Sequence, residues 1–206
     1  MKGIVGRKLG MTQLFDPESG EVTSVTVIEA GPCPIVQLKT VETDGYEAVQ
    51  LAFEPVADRK LSRGELGHLR RAGIGAHRHL VEFRGPSELK LGENVTVDVF
   101  QPGDRIKVSA ISIGKGFQGT IKRHRFKRGP KAHGSHNIRQ PGSIGASATP
   151  SRVRKGLRMA GRMGGKRATQ VGLTVHQVDT DANLLLVRGA VPGPTNGLVE
   201  VREDGR

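Results

Sequence analysis

Between Asp104 and Asp179 the sequence carries no acidic residue, and these 74 positions hold 17 of the chain's 32 Lys and Arg residues. Such a stretch cannot neutralise itself by internal ion pairs, and its like charges repel. The other 15 basic residues face all 20 acidic ones, so the net charge of +12 is segregated into one block. A solvated surface normally mixes both signs. A segregated block points instead to a polyanionic partner, because Lys and Arg gain free energy by releasing counterions from phosphates.

From Lys122 to Arg167 the same interval loses all apolar periodicity and mixes Gly, Pro, Ser, His and cations. It cannot assemble a core of its own, and so long a structureless segment within a compact domain is expected only where it is functional or ordered by a partner. Leaving and re-entering the domain as a hairpin of about 20 residues per arm, at ~3.3 Å per residue, it would reach roughly 60 to 70 Å. The division expected is a globular domain from 1–121 and 168–206, with a basic extension at 122–167.

Outside that interval, strand signals dominate. Val25 and Val27 alternate with Ser24 and Thr26, and Val49, Leu51 and Phe53 alternate with Gln50 and Ala52. Val95, Val97 and Val99 repeat the pattern before a Pro102-Gly103-Asp104 turn, after which Ile106 and Val108 resume. Val171, Leu173 and Val175 follow the basic interval, then an Asp181-Ala182-Asn183 turn, Leu184 to Val187, and a last strand from Leu198 to Val201. Short, closely spaced strands without long intervening helices predict a mainly β fold with antiparallel pairing in a barrel. One helical excursion is expected at about 57–77. Its helix runs near 62–72, opened by a Ser62/Glu65 capping box and stopped near Gly73.

Catalytic and cofactor motifs fail on context. Gly114-Lys115-Gly116-Phe117-Gln118-Gly119 matches G-x-G-x-x-G, but cations follow it and no acid occurs before Asp179. A P-loop ending at Gly165-Lys166 would need Ser or Thr where Arg167 stands and Gly where Ala160 stands. His124, His133 and His136 have no Cys, Asp or Glu nearby and sit among cations that would repel a metal, so no metal and no cofactor is expected. Cys33, the single cysteine, reads as an ordinary buried thiol in a reducing cytosol. No apolar run resembles a signal peptide or reaches membrane-spanning length.

The residues expected to meet RNA are Lys122, Arg123, Arg125, Lys127, Arg128, Lys131, His133, Ser135, His136, Arg139, Ser143, Arg152, Arg154, Lys155, Arg158, Arg162, Lys166 and Arg167. Cations screen phosphates, and the planar guanidinium of Arg can bond two phosphate oxygens. Phe117 and Phe126 could stack on an unpaired base, although Phe117 could equally pack at the base of the loop. Two rings are too few for a stacking platform, so recognition by shape and backbone is expected.

Several segments carry a family resemblance: Met1-Lys2-Gly3-Ile4, Gly10-Met11-Thr12, Ala30-Gly31-Pro32-Cys33-Pro34, Asp44-Gly45-Tyr46 and the glycine cluster at 114–119. More specific are Pro141-Gly142-Ser143-Ile144-Gly145, Thr149-Pro150, Met159-Ala160-Gly161-Arg162-Met163-Gly164 and the run from Asn183 to Gly193. With these the chain resembles the bacterial form of the universal large-subunit ribosomal protein three. The resemblance implies a six-stranded translation-protein-type β-barrel and an extension directed through the 23S ribosomal RNA towards the peptidyl transferase centre. It also implies binding near the 3′ end of that RNA, early action in subunit assembly, and large-subunit proteins fourteen and nineteen as neighbours. Membrane and small-molecule partners have no place in this reading. A flavin- or nucleotide-using enzyme and a free cytosolic RNA regulator are the competing classes, the former supported by fold analogy alone.

Many bacterial members of that family have Gln-Asn-Gln after Pro-Gly-Ser-Ile-Gly, with one glutamine methylated; here Ala146-Ser147-Ala148 stand there. With Ala146 and Ala148 at the glutamine positions the modification should be absent. Mass spectrometry of the peptide spanning residues 139–152 should therefore find Gln140 unmodified, and a methylated glutamine would contradict the resemblance-based reading.

Overall fold

The computed structural model describes residues 2–15, 20–86 and 89–205. It forms two compact units, one of Met1–Ser112 with Arg167–Arg206 and the other of Ile113–Lys166.

The first unit begins with strands β1 (Gly3–Phe15), β2 (Val22–Ala30) and β3 (Cys33–Lys39), a short helix α1 (Val41–Asp44) and β4 (Ala48–Pro55). Helix α2 (Arg63–Arg71), β5 (His77–Arg84), β6 (Asn94–Val95) and β7 (Arg105–Ile111) follow. The second unit contributes β8 (Phe117–Gln118), α3 (Thr120–His124) and β9 (Gly161–Arg162), and the chain ends with β10 (Arg167–Asp179), β11 (Leu184–Arg188) and β12 (Leu198–Glu203).

Six strands close into a barrel in the order β1-β12-β7-β10-β11-β2, each pairing antiparallel with its neighbours. This is the mainly β antiparallel barrel that the strand pattern predicts, with the six strands that the family resemblance implies. Closure leaves none of these strands with an open edge. Every strand sends aliphatic side chains inward, including Ile4, Ile28, Ile106, Val108, Val175, Leu185, Val187, Val199 and Val201, all buried in one core. A chain with only 3% aromatic residues fills its barrel with Val, Ile and Leu, whose branched side chains suit a pleated surface.

A four-stranded sheet, in the order β5-β4-β3-β6, packs beside the barrel. Strand β4 shows why its two faces differ. Val49, Leu51 and Phe53 join the barrel core, while Ala52 faces Val36 and Leu69 of α2 in a second cluster. The small Ala52 leaves room for the helix. Ser62 caps α2 by accepting from the Glu65 N–H at 3.3 Å, and Glu65 accepts from the Ser62 N–H at 2.8 Å, completing the capping box. Such a cap contributes roughly 1 kcal/mol. At the other end the Gly73 N–H reaches the Arg70 carbonyl and the Ile74 N–H the Leu69 carbonyl, while Gly73 takes a left-handed φ of 72°. Ile74 then packs against the cluster that holds Leu69, the hydrophobic contact that accompanies this kind of helix stop.

One strand reading needs correction, and in a second, correctly read strand one residue faces the other way. Val95, Val97 and Val99 do not form one alternating strand: β6 ends at Val95, and Val97–Val99 is a 3-10 turn. The Thr96 hydroxyl bonds the Asp98 carboxylate locally, competing with ladder formation, and the turn buries both Val97 and Phe100. Val171 is exposed although Leu173 and Val175 are buried, because the β7–β10 register shifts between Gln170 and Leu173, at a left-handed Gly172. The bulge rotates Val171 out of the inward series.

Sequence periodicity also passed over β1, β3 and β5. Gly3 and Gly6 break the alternating pattern of β1, yet both are where contact is tightest. A Cβ at Gly6 would lie 2.5 Å from the Glu29 carbonyl oxygen, and one at Gly3 would lie 2.5 Å from the Phe83 ring. Cys33 is fully buried, as expected, and burial pushes its thiol up to about 12. No helix among the described residues is long and apolar enough to cross a membrane.

Strands β3 and β5 are clasped by Lys39, whose ammonium lies 2.7 Å from Glu82 and donates to the Tyr46 hydroxyl at 2.8 Å. Tyr46 donates onward to Glu82 at 3.0 Å. The bond from Lys39 holds the Glu82 carboxyl below its ordinary pKa. Because the native carboxyl binds its proton more weakly than the unfolded one, this stabilisation is complete above the ordinary glutamate pKa and is lost as pH falls through the lowered native value. Urea unfolding of Glu82→Gln should accordingly show lower stability at neutral pH and a flatter decline on acidification than the parent. Identical acid limbs in the two proteins would remove the pair from the pH dependence.

Candidate nucleic-acid interface

The second unit leaves and re-enters the barrel between neighbouring strands, since Ile111 at the end of β7 is paired with Arg167 at the start of β10. Its root is a short ladder in which Phe117 pairs with Arg162 and Gln118 with Gly161. The Lys115 N–H donates to the Met163 carbonyl at 2.9 Å, and the Met163 N–H donates to the Gly116 carbonyl at 2.9 Å. Gly164 has a left-handed φ of 71°, and a Cβ there would collide with the Ile113 carbonyl.

Beyond this ladder the strand hydrogen bonding stops. Helix α3 begins at its N-cap Gly119 and ends at Arg125, which takes a left-handed φ of 60°. The Arg123 guanidinium donates to the Met159 carbonyl at 2.7 Å, and the His124 ring contacts the same oxygen through Nε2 at 3.0 Å. One helical turn is thereby tied to the returning chain. Further out, the Gly129 N–H meets the Ile138 carbonyl at 3.1 Å, and the Ser143 hydroxyl donates to the Gly145 carbonyl at 3.0 Å. Beyond its root ladder the unit is thus built of turns, irregular chain and one short helix, not of two fully extended arms, so the rise of an extended strand does not set its reach. His133 and Ser151 also take left-handed backbone conformations.

No member of either hydrophobic core lies within 113–166. No Asp or Glu lies there either. Of the sequence-selected residues, Lys122 and Arg123 sit on α3, Arg125 caps it, and Arg162 lies on β9. Lys127, Arg128, Lys131, His133, His136, Arg139, Ser143, Arg152, Arg154, Lys155 and Arg158 are exposed on turns and irregular chain, and Lys166 is exposed beside β10. Arg123 and Ser135 are half-buried. Arg167 differs in placement: it opens β10 and forms an ion pair with Glu200 of the barrel.

The glycine cluster at 114–119 is followed by a helix after all, but α3 has only five residues and β8 pairs antiparallel with β9. A dinucleotide fold needs a parallel strand and a long helix at this point. Phe117 does not pack at the base of the loop, being 78% exposed. Among the described residues no group of three His, Cys, Asp or Glu side chains could hold a metal. No individual role was read from the sequence for Lys115, Ile144, Leu157 or Met159; the last three line one pocket of the second unit, a convergence that no local pattern in the sequence signals.

A closed antiparallel barrel with an acid-free, cation-covered excursion points to a protein that binds nucleic acid. Comparison with known proteins gives the class a family. The model of the family described as "Ribosomal protein L3" matches residues 75–183. The chain is 55% identical over 201 residues to the large ribosomal subunit protein uL3 of Synechococcus elongatus, covering 97% of this chain and 94% of the relative. It is 53% identical over 205 residues to the uL3 of Acidothermus cellulolyticus, with 98% and 92% covered, and 52% identical over 205 residues to that of Streptomyces coelicolor, with 98% and 95% covered. The chain belongs to the ribosomal protein L3 family, whose members are structural RNA-binding components of the ribosome and not enzymes.

The root ladder depends on Gly164 adopting a conformation that costs an L-residue roughly 1 to 2 kcal/mol, with a steric collision added. Gly164→Ala should accelerate hydrogen exchange at the Lys115 and Met163 amides by roughly tenfold or more, the factor that 1.4 kcal/mol represents, while amides of β11 and β12 keep their protection. Unchanged exchange at Lys115 and Met163 would show that the ladder does not need this glycine.

Proposed function

We propose that this chain binds 23S ribosomal RNA near its 3′ end as a structural component of the large subunit, with the barrel holding both ends of an extension that runs towards the peptidyl transferase centre. In this reading it nucleates early subunit assembly and works in the cytoplasm. The observation that carries the reading is the concentration of cations over 122–166, most of them exposed, with no acid in that stretch and no core beneath it. Phosphates reaching such a surface would release their counterions, which favours binding.

The cations from Lys122 to Lys166 contact phosphate, while Arg167 acts partly through its barrel partner Glu200. His133, Ser135, His136 and Ser143 contribute hydrogen bonds at places where the backbone turns. Large-subunit proteins fourteen and nineteen are the neighbours this reading gives the barrel. The RNA supplies the chemistry of peptide transfer, and the chain supplies screening and position.

Replacing residues 113–166 by a short Gly-Ser linker is sterically feasible because Ile111 and Arg167 are already paired. If six to ten cations contact phosphate, binding of the parent to a 3′ fragment of the RNA should weaken by about 10³ to 10⁵ between 50 and 200 mM salt, by analogy with duplex DNA. The linker protein should bind far more weakly and with a shallower salt slope while melting as a folded barrel. Undiminished binding would move the RNA site to the barrel.

A further inference from the structure

We propose that the extension contains a receptor for a single unstacked nucleotide of RNA: a pocket in which Phe126, Pro141, Ile144, Leu157 and Met159 take the base while Arg139 and Arg158 take its phosphate. The inference rests on the RNA-binding reading above and adds to it a place where a base, and not only the backbone, is held. The pocket has a volume of about 510 Å³ and lies wholly within the second unit. Small-molecule sites span roughly 300 to 1,000 Å³, so a nucleotide is of suitable size.

Three observations support that occupant. Ile144, Leu157 and Met159 are 50%, 43% and 37% exposed, and unlike the exposed Ile113, Phe117 and Val153 of the same unit they converge on one pocket. Burying them requires an apolar surface from outside, because no core residue lies in this unit. The pocket is also held in shape: the Met159 carbonyl is fixed by Arg123 and His124, and the His124 ring lies tilted against Phe126 with centroids 6.1 Å apart.

Charge completes the case. With no acid anywhere between Asp104 and Asp179, the apolar lining is flanked only by positive charge. A neutral apolar peptide would leave Arg139 and Arg158 uncompensated. A nucleotide joins a flat π-surface to an anion in one covalent unit, and stacking of an extruded base on aromatic, apolar and guanidinium surfaces is how single-stranded RNA is gripped.

The test uses the full chain and a 23S RNA transcript, comparing the parent with Ile144→Ala/Leu157→Ala and with the conservative pair Ile144→Val/Leu157→Met. Loss of a base contact of this kind weakens binding about 5- to 150-fold. The alanine pair should lose affinity in that range with an unchanged salt slope, since no cation is removed, while the conservative pair binds like the parent. Chemical probing with dimethyl sulfate and a carbodiimide should show one base whose reactivity changes on binding the parent and the conservative pair but not the alanine pair. Parent-like affinity and reactivity for the alanine pair, alongside lost binding by the 113–166 linker protein, would overturn the pocket and leave the proposed function standing. Binding retained by the linker protein would overturn both. Normal RNA binding by the alanine pair combined with failure to enter assembled subunits would assign the pocket to a protein segment and refute the nucleotide.

Discussion

The antiparallel pairing of β7 with β10 is the constraint on which the rest of this architecture depends. Ile111 opposite Arg167, Ala110 opposite Ala168 and Ser109 opposite Thr169 bring together positions far apart in sequence. The Ser109 and Thr169 hydroxyls add a side-chain bond of 2.7 Å to the same ladder. A flexible loop loses entropy when its ends are joined. Here the barrel's hydrogen bonds and core meet that cost, so the excursion need contribute nothing to its own closure.

This explains how two incompatible chemistries share one chain. The barrel and its flanking sheet bury a continuous core, and β4 divides that sheet into a face for the barrel and a face for α2. The excursion has no core and no negative charge, which would doom an independent domain of its length. Held at both ends, it can carry a charge density chosen for a partner instead of for self-stability. The left-handed Arg125, His133 and Ser151 fit the same logic, because conformations that cost free energy persist only where other structure or a partner compensates.

Much of this was legible in advance. The Ser62/Glu65 capping box marked α2 to within a residue, and the Gly73 stop followed its rule. The alternation in Val49, Leu51 and Phe53 identified β4, and the Asp181-Ala182-Asn183 turn was rightly placed between β10 and β11. These signals are local, so a short window reads them. The failures are equally particular. Val97 and Val99 matched a strand template, but a hydroxyl–carboxylate bond between Thr96 and Asp98 turned the chain. Strand β1 was hidden because its glycines serve contacts with Glu29 and Phe83 that lie in distant segments.

The sequence alone determined the class of partner and the class of fold. Charge segregation is a property of composition along the chain, and β-branched alternation is a property of nearest neighbours, so neither needs three dimensions to be read. Tertiary structure decided which strands close the barrel, that Arg167 opens barrel strand β10 with Glu200 as its partner, and that Phe126, Ile144, Leu157 and Met159 line one pocket. Those facts depend on residues distant in sequence becoming neighbours in space, and no local pattern encodes such a meeting.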